Sequence, residues 1–285
     1  MISEEQFQKE ISLIIKNAIR EDVGEGDHSS LACIPQDAMG KAKLLVKDET
    51  VLAGVDFAKQ TFNYVDKDLK MEILLNDGQK VNYGDVAFYV EGRSQSILKA
   101  ERLVLNAMQR MCAIATKTNY FVSLLEGTKT KVLDTRKTTP GIRALEKWAV
   151  TIGGGENHRF ALYDMIMLKD NHIDFAGGIT RAIEKTRHYL EESNRNLKII
   201  VEARNLREVE EILQAGGVFR ILLDNFNYTD TRKAVALIGD QCFTESSGGI
   251  NENTMRKYAE CGVDYISSGA LTHSVYNKDL SLKAI

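Results

Sequence analysis

The chain has 285 residues, 44% hydrophobic and 27% charged, enough for a large core and about two domains. Its 37 basic and 40 acidic residues leave a formal charge of −3, so no broad positive field is offered to nucleic acid. No stretch approaches the roughly 18 apolar residues of a membrane span, and with Pro35 and Pro140 as the only prolines, long disordered linkers are not expected.

The opening MISEEQFQKE is acidic and polar, unlike a secretory signal. Cys33, Cys112, Cys242 and Cys261 lie far apart without C-x-x-C pairing. Reduced thiols and a cytoplasmic location are therefore expected, and a zinc site has little support. Residues 5–20 predict a helix, with Phe7, Ile11, Ile14, Ile15 and Ala18 near helical spacing. The turn-rich EDVGEGDHSS follows. Between residues 41 and 90 the runs KAKLLV, VLAGV, MEILL and VAFYV are broken by Gly54, Asp77-Gly78 and Gly84. They read as strands of a small mixed sheet, with VDFAKQTFNYV as a helix between two of them. Residues 94–125 read as long helical material, and their broad apolar distribution predicts packing on more than one side.

From residue 131 the pattern repeats. Strand-like runs at 131–134, 164–169, 198–203, 219–224, 242–247 and 264–269 alternate with helical stretches at 141–150, 176–193, 205–214, 229–237 and 251–260. Such alternation predicts parallel βα units. Six strands fall short of the eight of a complete barrel, so an incomplete α/β barrel is expected, with a doubly wound open sheet as the competitor. The latter lacks its GxGxxG fingerprint here.

Residues 131–172 hold DTRKTTPGIR, GGGENHR and LKDNH, and gather Arg136, Lys137, Arg143, Lys147, Arg159 and Lys169 with His158 and His172 around glycines and short apolar runs. That suits a pocket for a small polyanion. Other predicted strand ends carry Glu202 with Arg204, Asp224 with Asn225, and Glu245 with Ser246 and Ser247. In a barrel these tips converge on one mouth. SSGG at 246–249, before a helix expected near Asn251, and SSGA at 267–270 suit phosphate binding. Glu202 and Asp224 offer hard oxygens for ribose hydroxyls or for magnesium-bound water, and His158 is a candidate carboxylate holder or acid–base group. His28, His188 and His273 receive no role. Neither H-E-x-x-H nor G-x-S-x-G occurs, which lowers metalloprotease and serine hydrolase readings.

At these residues the chain resembles the quinolinate phosphoribosyltransferase family over nearly its whole length. The resemblance runs through EDVGEGDHSS, ERLVLNAMQR, LDTRKTTPGIRALEKWAV, GGGENHR, LKDNHI, VEA, LLDNF, ESSGGI and SSGALTHS. The DHSS stretch and Ser268 depart from the commoner family wording without removing a charged residue. The resemblance implies an N-terminal α/β sandwich domain at 1–112 and an incomplete α/β barrel at 113–285, with the C-terminal tail packing back on the first domain. It implies a homodimer, or an assembly of dimers, in which Arg102 enters the neighbour's site. By the same resemblance Arg136, His158, Arg159 and Lys169 hold a pyridine dicarboxylate, and Lys137 lies between that acid and a sugar phosphate. Glu202 and Asp224 serve the ribose and Mg2+ region, and with Lys137 they are the expected catalytic residues. Ser247, Gly248 and Gly269 belong to phosphate loops. The implied reaction joins quinolinate to phosphoribosyl pyrophosphate, giving nicotinate mononucleotide, pyrophosphate and carbon dioxide, a step of NAD biosynthesis. Transfer to nicotinate, or a noncatalytic metabolite sensor, are the alternatives.

Overall fold

The computed structural model describes residues 2–285. Its first part contains α1 (Glu4–Val23), α2 (His28–Cys33), β1 (Met39–Val46), β2 (Thr50–Val51), α3 (Val55–Val65), β3 (Lys70–Ile73), β4 (Lys80–Val81), β5 (Val86–Arg93) and α4 (Ser94–Leu124). Then come β6 (Lys131–Leu133), α5 (Arg143–Ile152), β7 (Ile166–Leu168), α6 (Asp170–Ala176), α7 (Ile179–Glu192), β8 (Ile199–Ala203), α8 (Leu206–Ala215) and β9 (Arg220–Asp224). The chain ends with α9 (Tyr228–Ile238), β10 (Phe243–Ser247), α10 (Met255–Ala259), β11 (Tyr265–Ser267), α11 (Ala270–His273) and β12 (Leu280–Ala284). These fall into two compact units. One comprises Ile2–Asn119, Thr138–Gly154 and Leu271–Ile285, the other Tyr120–Lys137 and Gly155–Ala270.

The first unit is built on the sheet β12-β1-β5-β3. All its pairings are antiparallel, so it is not the mixed sheet expected from sequence. Strand β12 supplies an edge by pairing Leu282 with Leu44 and Leu280 with Val46. Helix α3 buries Val55, Phe57, Ala58, Thr61 and Phe62, a spacing that lines one helical face. Its first N–H, on Val55, is taken by the Asp77 carboxylate at 2.9 Å. This early helix start leaves β2 only two residues, where VLAGV read as a full strand. The turn expected at DHSS is the short helix α2, capped by Asp27. In α4, Met111, Cys112, Ala113, Ile114 and Ala115 are buried in succession, which requires neighbours on several sides of the helix.

Gly153 closes α5, and a Cβ there would lie 2.5 Å from the Ala115 carbonyl oxygen and 2.7 Å from Thr118 Cβ. Backbone cannot yield as a side-chain tip does. Gly153→Ala should therefore cost about 1–3 kcal/mol of stability, read as a lower urea midpoint at unchanged slope. An unchanged midpoint would contradict this packing.

The second unit has a six-stranded sheet, β6-β11-β10-β9-β8-β7, in which every pair is parallel. Strands β8 (IIVEA) and β9 (RILLD) are buried almost throughout, as expected when a parallel sheet is covered on both faces. Strands β7 to β11 lie in chain order, and β6, the first, lies beside β11, the last. A doubly wound sheet places its first strand inside the order. The observed order is consistent with a partial barrel; among the described residues no pairing joins β6 to β7. The helix expected at 176–193 is α7; a further short helix, α6, precedes it, and Gly177 and Gly178, with positive φ angles of 88° and 118°, separate the two.

Candidate active site

Side chains alternate between the faces of a strand. The registers Glu202↔Leu222↔Glu245↔Tyr265 therefore put these four residues on one face of the second unit's sheet. Asp224 and Ser247, paired with each other two residues further on, share that face at the C-terminal strand ends. Lys169 directly follows β7, and its Nζ is 3.3 Å from Glu202 Oε2. The half-buried Asp224 accepts from Asn225 Nδ2 at 2.8 Å. Lys169, Glu202, Asp224 and Ser247 are thus collected at one edge of the sheet.

The segment after β6 is fastened from within. Asp134 is fully buried, and its Oδ1 accepts the backbone N–H of His158 at 2.8 Å. Thr135 Oγ1 accepts from the Lys137 N–H at 3.0 Å, with the Lys137 side chain exposed. Arg159 is 6% exposed and donates to the Met165 carbonyl at 3.2 Å. Burial, and then the nearby Arg136 charge, lower the pKa of Arg159. Arg136 Nε is buried without a hydrogen-bond partner among the described residues. A buried guanidinium beside a half-buried one with an unsatisfied donor suits an anion carrying more than one charge.

The loops after β10 and β11 provide small residues. Gly248 has φ +94°, and a Cβ there would lie 2.2 Å from Asn225 Oδ1, so glycine is required for both conformation and space. The Asn225 N–H donates to the Ser247 carbonyl at 2.9 Å. The Ser268 N–H donates to the Leu133 carbonyl at 3.0 Å, which places Gly269 beside the end of β6. The helix expected to open near Asn251 begins at Met255. Arg102 is exposed on α4 in the first unit.

Arg220 and Glu146 were not singled out in the sequence. Arg220 is buried at the start of β9 and donates to Glu245 Oε2 at 2.7 Å. Charged residues inside the apolar run FRILLD and in TESS were the available signal. In the first unit, Glu146 is fully buried and accepts from Arg110 at 3.1 and 2.9 Å and from Thr139 at 3.0 and 2.8 Å. Burial raises the Glu245 pKa, but contact with His158 and the charge of Arg220 more than offset this, holding it at about 2. An unfolded glutamate titrates near about 4.3. The stability contributed by Glu245 is therefore complete above about pH 5 and is lost as pH falls toward about 2. Glu245→Gln should flatten that acid limb in urea melts. An unchanged pH slope would show that the carboxylate is not held as described.

Among the described residues no three or more acidic, histidine or cysteine side chains form a metal-holding group. Glu202 and Asp224 nevertheless fit Mg2+ in its usual manner, in which one or two carboxylates act with water and substrate phosphates.

Paired arginines, a lysine and two carboxylates at parallel strand ends, beside glycine loops, define an α/β enzyme site for a phosphorylated or carboxylated small molecule. Two family models match the chain: "Quinolinate phosphoribosyl transferase, N-terminal domain" over residues 27–112, and its C-terminal domain over 114–283. Quinolinate phosphoribosyltransferase [decarboxylating] 1b of Nicotiana tabacum is 43% identical over 95% of this chain and 81% of its own. A probable nicotinate-nucleotide pyrophosphorylase of Bacillus subtilis is 37% identical over 96% of this chain and 93% of its own. The solved nicotinate-nucleotide pyrophosphorylase from Francisella tularensis superposes with a TM-score of 0.89 at 37% identity, covering 97% of this chain and 96% of that one. The chain belongs to the quinolinate phosphoribosyltransferase family. It is a pentosyltransferase.

Proposed function

We propose that the chain transfers the phosphoribosyl group of 5-phosphoribosyl 1-pyrophosphate to quinolinate and releases carbon dioxide, giving nicotinate mononucleotide and pyrophosphate. The observation that carries the substrate is the buried Arg159 beside the half-buried Arg136, whose Nε lacks a hydrogen-bond partner among the described residues, a pair of guanidiniums that two adjacent carboxylates complement. Arg136, His158, Arg159 and Lys169 take those carboxylates. Lys137 lies between acid and sugar phosphate, and Ser247, Gly248 and Gly269 hold the phosphate.

Pyrophosphate departure makes C1 of the ribose electrophilic, and the pyridine nitrogen attacks it. The ring becomes cationic, so the electron pair left at C2 is stabilised as the 2-carboxylate leaves as carbon dioxide, and C2 then takes up a proton from solvent. No protein nucleophile is required. The arginines hold the acid against C1 and displace water. Glu202 and Asp224 stabilise positive charge developing on the sugar. They would also hold Mg2+ through water or substrate phosphates, where it neutralises the leaving pyrophosphate.

The reading includes an incomplete barrel, which the strand order supports. It divides the chain into a 1–112 sandwich domain and a 113–285 barrel domain, a division supported by the edges of the two family matches. It also includes a homodimer in which the exposed Arg102 reaches the partner's site, and a cytoplasmic location in keeping with free cysteines at 33, 112, 242 and 261. Among the described residues no helix is long and apolar enough to cross a membrane.

The test is turnover by purified protein with Mg2+ and phosphoribosyl pyrophosphate, offering quinolinate and nicotinate separately. Quinolinate should give equal amounts of nicotinate mononucleotide and carbon dioxide, while nicotinate reacts poorly because one carboxylate leaves an arginine unmatched. Efficient nicotinate turnover without quinolinate turnover would overturn the assignment.

A further inference from the structure

Asn225 follows Asp224 at the end of β9 and takes a left-handed backbone conformation, with φ +56°. Among the described residues Asn194 is the one other non-glycine with a positive φ. Asparagine tolerates this region better than most side chains, and glycine better still. Asn225 is exposed, so burial gives no reason for a side chain there. Its contacts do. Nδ2 donates to Asp224 Oδ2 at 2.8 Å. A carboxylate only accepts, which fixes the amide with Nδ2 toward Asp224. Its Oδ1 lies toward Gly248, where the amide fills the space that a Cβ would need. The backbone N–H of Asn225 donates to the Ser247 carbonyl at 2.9 Å, beside the pairing of Ser247 with Asp224. One residue thus touches both the carboxylate at the tip of β9 and the glycine loop after β10.

We propose that Asn225 is a positioning residue. Its amide holds one oxygen of Asp224, leaving the other for the ribose or for magnesium-bound water, and keeps that carboxylate in register with the phosphate loop at Gly248. The inference rests on the proposed function, which gives Asp224 its role. Its physical basis is orientation. Asp224 is half-buried, and the described residues give its carboxylate no hydrogen bond besides the one from Asn225. Without that bond the side chain turns among its staggered positions, and a charged group aimed wrongly at the reacting centre stabilises it less.

The test uses Asn225→Gly, which removes the amide and keeps the backbone N–H. Glycine is at ease with this φ, so the variant should fold. Its kcat should fall about tenfold while the KM for quinolinate stays within about threefold. Calorimetric binding of phosphoribosyl pyrophosphate with Mg2+, measured without an acceptor acid, should weaken as well. The second measurement is a cycle with Asp224→Ala. If the amide acts through Asp224, adding Asn225→Gly to that variant should change kcat and the calorimetric affinity by less than about threefold. A side chain that merely supports the fold would cause the same loss in both backgrounds. Unchanged kcat and affinity in Asn225→Gly, or an equal loss with and without Asp224, would overturn the proposal. Failure of the wild-type protein to use quinolinate would instead reject the proposed function. The calorimetric cycle, which needs no acceptor, would then still decide whether the amide acts through Asp224, and absence of phosphoribosyl pyrophosphate binding by the wild type would overturn both.

Discussion

Arg159→Ala should raise the KM for quinolinate by about a hundredfold or more and leave the KM for phosphoribosyl pyrophosphate within about threefold. Truncating one partner of a buried, hydrogen-bonded charge pair costs about 2–5 kcal/mol, and each 1.4 kcal/mol is about tenfold in affinity. Arg159 is 6% exposed, so its contact with a carboxylate is shielded from water. Folding stability should change little by comparison, because burial and the neighbouring Arg136 already disfavour this charge in the absence of an anion. Arg159→Lys should recover only part of the loss, since an ammonium cannot present two parallel donors to a carboxylate. Steady-state kinetics with each substrate varied in turn, together with calorimetric quinolinate binding, measure these effects. A quinolinate KM within threefold of the parent would remove Arg159 from the receptor.

Asp224→Asn and Glu202→Gln should each lower kcat by about tenfold or more, because both remove negative charge where positive charge develops on the ribose. Size is nearly conserved in both changes, and quinolinate binding should suffer less than turnover. The two variants are expected to differ in one respect. Glu202 lies 3.3 Å from Lys169, so its neutralisation also frees that ammonium, and the KM for quinolinate should shift more in Glu202→Gln than in Asp224→Asn. Asp224 holds only the Asn225 amide among its hydrogen bonds described above, and its loss should fall on kcat. Near-parent rates at saturating Mg2+ and both substrates would show that neither carboxylate has the assigned role.

The parallel half of the fold was legible because each of its strands is a short apolar run with helical spacing between it and the next. Burial on both faces imposes that composition locally, so DMIMLK, KIIVEA and FRILLD disclosed β7, β8 and β9. Lys169, Glu202, Asp224 and Ser247 were legible for a related reason: a charged or hydroxyl residue ending an apolar run stands at a strand tip. The antiparallel half was read less well. VLAGV has strand composition, but Asp77, distant in sequence, accepts the Val55 N–H and helps start a helix there. Strand β12 is defined by its pairing with β1 across more than two hundred residues of chain, and no local periodicity contains that partner.

The sequence by itself determined which residue types the site contains, because a polyanion demands arginine, lysine and close glycine backbone whatever the fold. The tertiary structure alone decided which of them face one another and in what state. Arg220 is unremarkable in its own segment, and its proximity to Glu245 and His158 follows from the register of β9 against β10 and from the path of the chain after β6. The repulsion between Arg136 and Arg159, and the contact of His158 with Glu245, depend on proximity between groups separated along the chain. Electrostatic and hydrogen-bond energies vary steeply over such distances, whereas composition and spacing record only what each segment requires locally.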